Sequence, residues 1–103
     1  MSVIFTNGCF DILHRGHMEL FKYCKTLGKV VVGVNSDESV KSLKGPGRPF
    51  FSQEDRVFML KSCKYVDRVI IFDEETPYNL IKKIKPDIIV KGGDYKEEEV
   101  VGR

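Results

Sequence analysis

The chain lacks the usual signatures of secreted, membrane-spanning and polyanion-binding proteins. Its three cysteines, Cys9, Cys24 and Cys63, fit neither a disulfide framework nor a paired-cysteine metal knuckle, because their number is odd and their spacing is wide. No apolar run approaches the ~18 residues that span a bilayer, and the amino-terminal MSVIFTNG has no basic segment before an apolar one. The formal charge of +2 is too small to indicate a nucleic-acid partner. These absences predict a cytoplasmic protein that binds neither membrane nor nucleic acid.

Short apolar runs alternate with helical patterns along the chain. Because small domains leave much of their surface in water, 103 residues can bury one modest core, and we predict a single domain over residues 1–103. Runs rich in β-branched and aromatic residues predict strands at 2–6, 29–35, 68–72 and 87–91. Apolar residues at helical spacing predict helices from about residue 16 to 27, from Ser52 to Cys63, and from Thr76 until Pro86. This order predicts an α/β fold, a Rossmann-like parallel sheet with helices on both faces.

Three further stretches or sets carry predictions of their own. Residues 36–51 mix polar residues with glycine and proline, so we expect a partial loop with one helical turn near residues 38–42. The KEEE segment at residues 96–99 is predicted to be a solvated tail or the start of a helix. Several aromatic side chains are expected in the core: Phe5, Phe10, Phe21, Phe58 and Phe72.

The stretch TNGCFDILHRGHMELF, residues 6–21, connects the first strand to the first helix. In an open parallel sheet, ligands bind outside the carboxyl ends of the strands, and this stretch begins at one such end. Gly8 lets the backbone approach a ligand without a Cβ in the way, and the free N–H groups at a helix start favour phosphate oxygens. The stretch therefore predicts a phosphate site.

Two histidines occupy the predicted start of the first helix. His14 and His17 are three residues apart, so their imidazoles project from one side of the first turn, and Gly16 between them keeps that side open. Histidine N–H groups can stabilise the charge that develops on a phosphorus centre as one oxygen enters and another leaves. We therefore predict that the two histidines are donors to a phosphoryl-transfer transition state.

The segment GCFDILHRGH resembles the GxFDxxHxGH signature of the cytidylyltransferase-like nucleotidyltransferases. The resemblance continues through VGVNSD, LKG, GRP, the arginine of QEDR, YVDRVIIF and KPDIIVKGGDY, and so covers almost the whole chain. Within the family, NGCFD, NSD, GRP and VKGGDY are most similar to the adenylyltransferase domains of bacterial ADP-heptose synthases. The glycerol-3-phosphate cytidylyltransferases are also similar.

The resemblance implies roles for individual positions. Catalysis would fall to His14, His17 and Lys44, the last being a phosphate-gripping loop lysine. Asp11 would help to order a loop. The implied nucleotide-binding residues are Gly8, Cys9, Phe10, Asp11, His14, Gly16, His17, Gly92 and Asp94, and the implied substrate-binding residues are Asp37, Lys44 and Arg56. No residue is expected to ligate a metal directly.

The resemblance also implies a reaction. A phosphate oxygen of a sugar 1-phosphate would attack the α-phosphorus of ATP or CTP and release pyrophosphate, with Mg²⁺ bridging phosphate oxygens. The favoured acceptor is D-glycero-β-D-manno-heptose 1-phosphate, the alternative is glycerol 3-phosphate, and a homodimer is expected by analogy. The family carries a Ser/Thr-rich motif farther along, and the sequence stops at Arg103 without one. A truncated nucleotide-binding module without turnover is therefore a further alternative.

Other assignments stay open when the residues are considered without the family. His14 and His17 could lie on a helix surface, or Cys9 could join them in a zinc site or act as a nucleophile. Lys44 could be an ordinary loop lysine. Arg56 could pair with the neighbouring Glu54 or Asp55.

The remaining candidates have alternatives too. Asp37 and Asp94 could form turns by bonding their own backbone, and Gly92 could merely permit one. A set of lysines could form a basic face for nucleic acid: Lys82, Lys83, Lys85 and Lys91. That set lacks interleaved aromatics and falls where a helix end favours positive charge, so we expect it to be solvated.

Overall fold

The residues that the structure describes form one five-stranded sheet flanked by four helices. The computed structural model describes residues 2–91 and 96–99, the latter by their backbone alone. In chain order the elements are β1 (Val3–Gly8), α1 (Arg15–Leu27), β2 (Lys29–Asn35), α2 (Asp37–Lys44), α3 (Gln53–Lys61), β3 (Arg68–Phe72), α4 (Tyr78–Ile84), β4 (Ile88–Lys91) and β5 (Lys96–Glu99). None of the helices in these described ranges is long and apolar enough to cross a membrane.

The strand order β3-β2-β1-β4-β5 fixes where the site lies. β1 pairs in parallel with β2 on one side and with β4 on the other, and β2 pairs in parallel with β3. The chain therefore moves outward from β1 to β3 and then crosses to β4 on the opposite side of β1. This reversal is the switch point at which doubly wound sheets open a ligand crevice. The predicted α/β, Rossmann-like parallel sheet is confirmed.

Helices cover both faces of the sheet. Leu20, Phe21 and Cys24 of α1 and Leu60 of α3 join one buried cluster with Ile4 of β1, and burial raises the pKa of the Cys24 thiol to about 11. Side chains alternate along a strand, so Phe5 points to the other face. There its buried ring lies close to Gly33 and to Leu80 of α4, because a Cβ added at Gly33 would stand 2.8 Å from Phe5 Cζ and 3.3 Å from Leu80 Cδ2.

Two predicted segments differ from the structure. Residues 37–44 form a full helix rather than one turn, because Ser36 caps it by accepting the Ser39 N–H at 3.2 Å and Val40 anchors it in the core. The predicted tail or helix start at residues 96–99 is wrong, since this segment is an antiparallel strand paired with β4. Charged residues are common on edge strands, where they discourage pairing with other chains.

The predictions for helix starts and for the aromatic core have mixed outcomes. The predicted cap of α3 is confirmed, because Ser52 Oγ accepts the Asp55 N–H at 3.2 Å. Phe5, Phe10, Phe21 and Phe72 are buried as predicted. The prediction for Phe58 is wrong, since its side chain on α3 is 66% exposed.

Candidate active site

A cavity of about 580 Å³ opens beside the carboxyl end of β1. Its lining comes from the turn after β1, from the start of α1, and from the end of α2 with the connection to α3. The lining residues are Asn7, Gly8, Cys9, Phe10, Asp11, Ile12, His14, Gly16, His17, Leu20, Lys44 and Arg48. The structure therefore brings eight residues that were predicted for the site to one cavity: Gly8, Cys9, Phe10, Asp11, His14, Gly16, His17 and Lys44.

Phe10 holds the turn after β1 against the core. Its backbone has a φ of 49°, a left-handed conformation that is costly for a bulky residue and that persists only where its surroundings enforce it. The buried ring lies under Gly8, where an added Cβ would stand 3.2 Å from Phe10 Cζ. The same ring contacts His17 and Phe21 edge-on, with centroids 5.2 and 5.5 Å away. Phe10 thus connects the turn, the core and one of the two histidines.

The two histidines cap α1 reciprocally. His14 Nδ1 accepts the Gly16 N–H at 3.0 Å, and His17 Nδ1 accepts the His14 N–H at 3.2 Å, which is the geometry of a capping box. Because each Nδ1 is an acceptor, the proton of each neutral ring resides on Nε2. The ring centroids are 4.0 Å apart. The pair therefore has two Nε2–H donors that are not used by the cap.

This cap changes one detail of the sequence prediction. We expected free backbone N–H groups at the helix start to receive phosphate oxygens, but the Gly16 N–H is bonded to His14 Nδ1, and the N–H groups of His17 and Met18 both donate to the His14 carbonyl. Gly16 is required for another reason: a Cβ there would stand 2.8 Å from His14 Cε1. The imidazoles, rather than these three amides, are the donors available to a ligand.

The His17 imidazole is held in its neutral form. Burial lowers the pKa of His17, and the neighbouring His14 lowers it further. Because Nδ1 of the neutral His17 ring accepts the His14 N–H, the ring presents one fixed donor, Nε2–H, to the cavity. It can stabilise negative charge by hydrogen bonding without transferring a proton.

Asp11 fastens the α2–α3 connection to the turn. Its buried carboxylate accepts the Phe50 N–H at 2.8 Å, the Phe51 N–H at 2.9 Å and Arg48 Nε–H at 2.6 Å. Burial alone would raise the pKa of Asp11, but these hydrogen bonds from Phe51, Phe50 and Arg48 outweigh it and lower the pKa below its ordinary value. The carboxylate is charged and holds residues 48–51 against the cavity.

Arg56 links four segments around the site. Its buried guanidinium donates from Nε to the Phe51 carbonyl at 3.0 Å, and from Nη1 to the carbonyls of Cys9 at 2.8 Å and Asn35 at 2.6 Å. Nη2 donates to Asp37 Oδ1 at 2.7 Å. The structure thus gives Arg56 and Asp37 framework contacts, and neither lines the cavity. Their substrate-binding role stays a prediction. Arg56 pairs with Asp37, not with the neighbouring acids that the alternative named.

The other predicted site residues fall into three groups. Lys44 is the exposed last residue of α2 and lines the cavity. Cys9 contributes its carbonyl to Arg56, and its thiol donates to Asn35 Oδ1 at 3.8 Å. Gly92 and Asp94 lie outside the described residues. Sequence reasoning overlooked Arg48, although GPGRP places a basic side chain on a loop restricted by two prolines and beside Lys44.

The first prediction concerns His17 and pH. Because the folded chain holds the pKa of His17 below its ordinary value of 6.5, the unfolded chain binds a proton first as the pH falls. The free energy of unfolding should therefore decrease from about pH 6.5 downward. In His17→Gln, whose side chain can still accept in the capping box, this decrease should be absent. Hydrogen bonds also lower the pKa of Asp11 and that of Asp67, which pairs with Lys25, but the stability they contribute is lost only as the pH falls toward 3.8 and below. Urea denaturation of both proteins between pH 7.5 and 5 measures the difference, and identical slopes would contradict the assignment.

The second prediction concerns Arg56. Arg56→Met removes four hydrogen bonds and leaves the carbonyls of Cys9 and Asn35 without this donor, so unfolding should become easier by about 3 kcal/mol or more. Arg15→Met is the matched control, because Arg15 is 90% exposed and pairs with Glu19 on the same helix. Its effect should stay below about 1 kcal/mol. Equal midpoints for the two variants in denaturant would show that Arg56 does not carry the framework.

Comparison with known proteins gives the chain its family. Residues 5–100 match the family model described as Cytidylyltransferase-like. The chain is 61% identical over 101 residues to the bifunctional protein HldE of a Nitratiruptor species. This alignment covers 97% of this chain and 22% of that protein. It is 60% identical over 102 residues to HldE of Campylobacter concisus, and that alignment covers 98% of this chain and 22% of that protein.

A solved structure is similar as well. The crystal structure of the lipopolysaccharide core biosynthesis protein from Thermoplasma volcanium aligns with a TM-score of 0.77 and 35% identity, covering 86% of this chain and 72% of that one. The chain spans about a fifth of the length of the curated relatives named above. The resemblance predicted from GCFDILHRGH is confirmed, and the chain belongs to the cytidylyltransferase-like family of nucleotidyltransferases.

Proposed function

We propose that this chain transfers a nucleoside monophosphate from a nucleoside triphosphate to a phosphorylated small molecule and releases pyrophosphate. The observation that carries the proposal is the pair of imidazoles, His14 and His17, capping α1 in a cavity that Lys44 and Arg48 also line. Membership of the cytidylyltransferase-like family supports the same chemistry.

In the proposed reaction the acceptor phosphate is the nucleophile. One of its oxygens forms a bond to the α-phosphorus, the bond from the α-phosphorus to the bridging oxygen breaks, and pyrophosphate leaves with that electron pair. The acceptor phosphate is anionic at neutral pH, so no protein base has to remove a proton. Catalysis then rests on positioning and on the two Nε2–H donors, which stabilise charge on the phosphoryl oxygens. The positive end of the α1 dipole acts in the same direction.

Magnesium is proposed as part of the substrate. Within the residues that the structure describes, no group of three or more histidine, cysteine or acidic side chains could hold a metal ion. The Asp11 carboxylate in the cavity wall already accepts hydrogen bonds at both oxygens. Mg²⁺ is commonly bound by substrate phosphates and water with few protein ligands. We therefore propose that the substrate is the magnesium complex of the triphosphate.

The proposed substrates are ATP and D-glycero-β-D-manno-heptose 1-phosphate. The support comes from the motifs shared with ADP-heptose synthases and from the HldE proteins that are 60–61% identical to this chain. The structural relative is titled a lipopolysaccharide core biosynthesis protein. CTP with glycerol 3-phosphate is the competing pair. A homodimer and a cytoplasmic location remain predictions.

The test is pyrophosphate release by the chain with Mg²⁺, using ATP or CTP with either acceptor. Release is expected with ATP and the heptose phosphate. His14→Asn and His17→Gln should each lower turnover by about 10²–10³-fold, because they remove an imidazole donor while asparagine at the cap and glutamine three residues on can keep the capping hydrogen bonds. Arg15→Gln, which changes an exposed side chain between them, is the control and should retain full activity.

Two results would contradict this proposal. Turnover that survives in both histidine variants would remove the imidazoles from the mechanism. Binding of ATP without pyrophosphate release, whichever acceptor is present, would identify the chain as a nucleotide-binding module. Release with CTP and glycerol 3-phosphate alone would replace the substrates and keep the reaction type.

A further inference from the structure

Arg48 is held in a fixed position at the cavity wall. Its Nε donates to Asp11 Oδ2 at 2.6 Å, and its guanidinium carbon lies 4.5 Å from the centroid of the Phe50 ring. The Arg48 side chain is 29% exposed, whereas that of Asp11 is 2% exposed. The Asp11 carboxylate binds one edge of the guanidinium, and the Phe50 ring lies against its planar face. Together they restrict the direction in which the guanidinium points and its rotation.

The hydrogen bonds of Arg48, in the α2–α3 connection, and of Arg56, on α3, differ in number. Arg56 uses four of its five N–H donors on protein oxygens. Arg48 uses Nε alone, and its two terminal nitrogens make no hydrogen bond within the described part of the chain. The unused edge of the Arg48 guanidinium carries two parallel N–H groups, a geometry that matches two oxygens of a phosphate.

The charges around the cavity favour an anionic ligand. Lys44 and Arg48 both line it, and the one acidic side chain among its lining residues, Asp11, is occupied by Arg48 and two backbone amides. The His17 imidazole is neutral, since burial and His14 lower its pKa. Arg48 therefore supplies a positive charge beside the uncharged His17 donor.

We propose that Arg48 is a phosphate-binding residue of the active site, oriented by Asp11, whose guanidinium receives two oxygens of either the triphosphate or the acceptor phosphate. This assignment rests on the proposed function. It adds Arg48 to the ligand-binding residues of the same active site. Asp11 serves as a positioning residue, because the same carboxylate orients the Arg48 guanidinium and holds the amides of Phe50 and Phe51.

Calorimetric titration tests the proposal with Mg²⁺–ATP, adenosine, inorganic pyrophosphate and heptose 1-phosphate. Arg48→Met should weaken the binding of at least one phosphate ligand by about tenfold or more, and adenosine should bind within about twofold of its original affinity, because it has no phosphate. Arg48→Lys should restore part of the loss, since it returns the charge without the paired donors. Arg15→Met, an exposed arginine on α1, should change none of these affinities.

The pattern of losses separates the two sources of phosphate. Weaker ATP and pyrophosphate binding assigns Arg48 to the triphosphate, and weaker heptose 1-phosphate binding alone assigns it to the acceptor. Unchanged affinity for every phosphate ligand in Arg48→Met would overturn the proposal, and so would a parallel loss of adenosine binding, which indicates a collapsed site. If pyrophosphate binding depends on Arg48 but the chain transfers no nucleotide, the proposed function fails and the Arg48 assignment stands.

Discussion

The buried guanidinium of Arg56 is the contact on which the geometry of the site depends. Burying a charge is costly unless it is paired and hydrogen-bonded. Here four donors meet Asp37 and the carbonyls of Cys9, Asn35 and Phe51, which belong to the ends of β1 and β2 and to the approach to α3. Phe51 is held from both sides, because its N–H donates to Asp11. Two ion pairs, Asp11–Arg48 and Asp37–Arg56, thus fix the loops around one cavity.

Neutral and charged groups have different tasks in this arrangement. The histidines are tied by their Nδ1 atoms to the start of α1, which leaves Nε2–H donors in fixed directions. Burial and His14 lower the pKa of His17 and so favour its uncharged form. Lys44 and Arg48 add positive charge from the α2–α3 connection. A phosphoryl-transfer site needs both kinds of group, since cations attract the phosphates and oriented hydrogen bonds stabilise the charge that moves during the reaction.

The sequence predicts those features of the fold that are encoded locally. The apolar runs identify β1 to β4, and the spacing of His14 and His17 identifies the first turn of α1. The β5 strand escapes prediction because its residues, KEEE, have little strand propensity and pairing with β4 decides their conformation. The framework contacts of Arg56 escape prediction for a similar reason: its partners Cys9 and Asn35 are 47 and 21 residues away, and no local pattern reveals them. Arg48 gains its role only through Asp11, 37 residues earlier.

The central claim is that two imidazoles present Nε2–H donors to a phosphate site. Nitrogen-15 NMR of the imidazoles at pH 7 tests it most directly, with and without Mg²⁺–ATP. The structure predicts that Nδ1 of both His14 and His17 is an acceptor and that Nε2 carries the proton, and that ATP perturbs the Nε2 signals more than the Nδ1 signals. Rings protonated on Nδ1, or Nε2 signals that do not respond to ATP, would contradict the account.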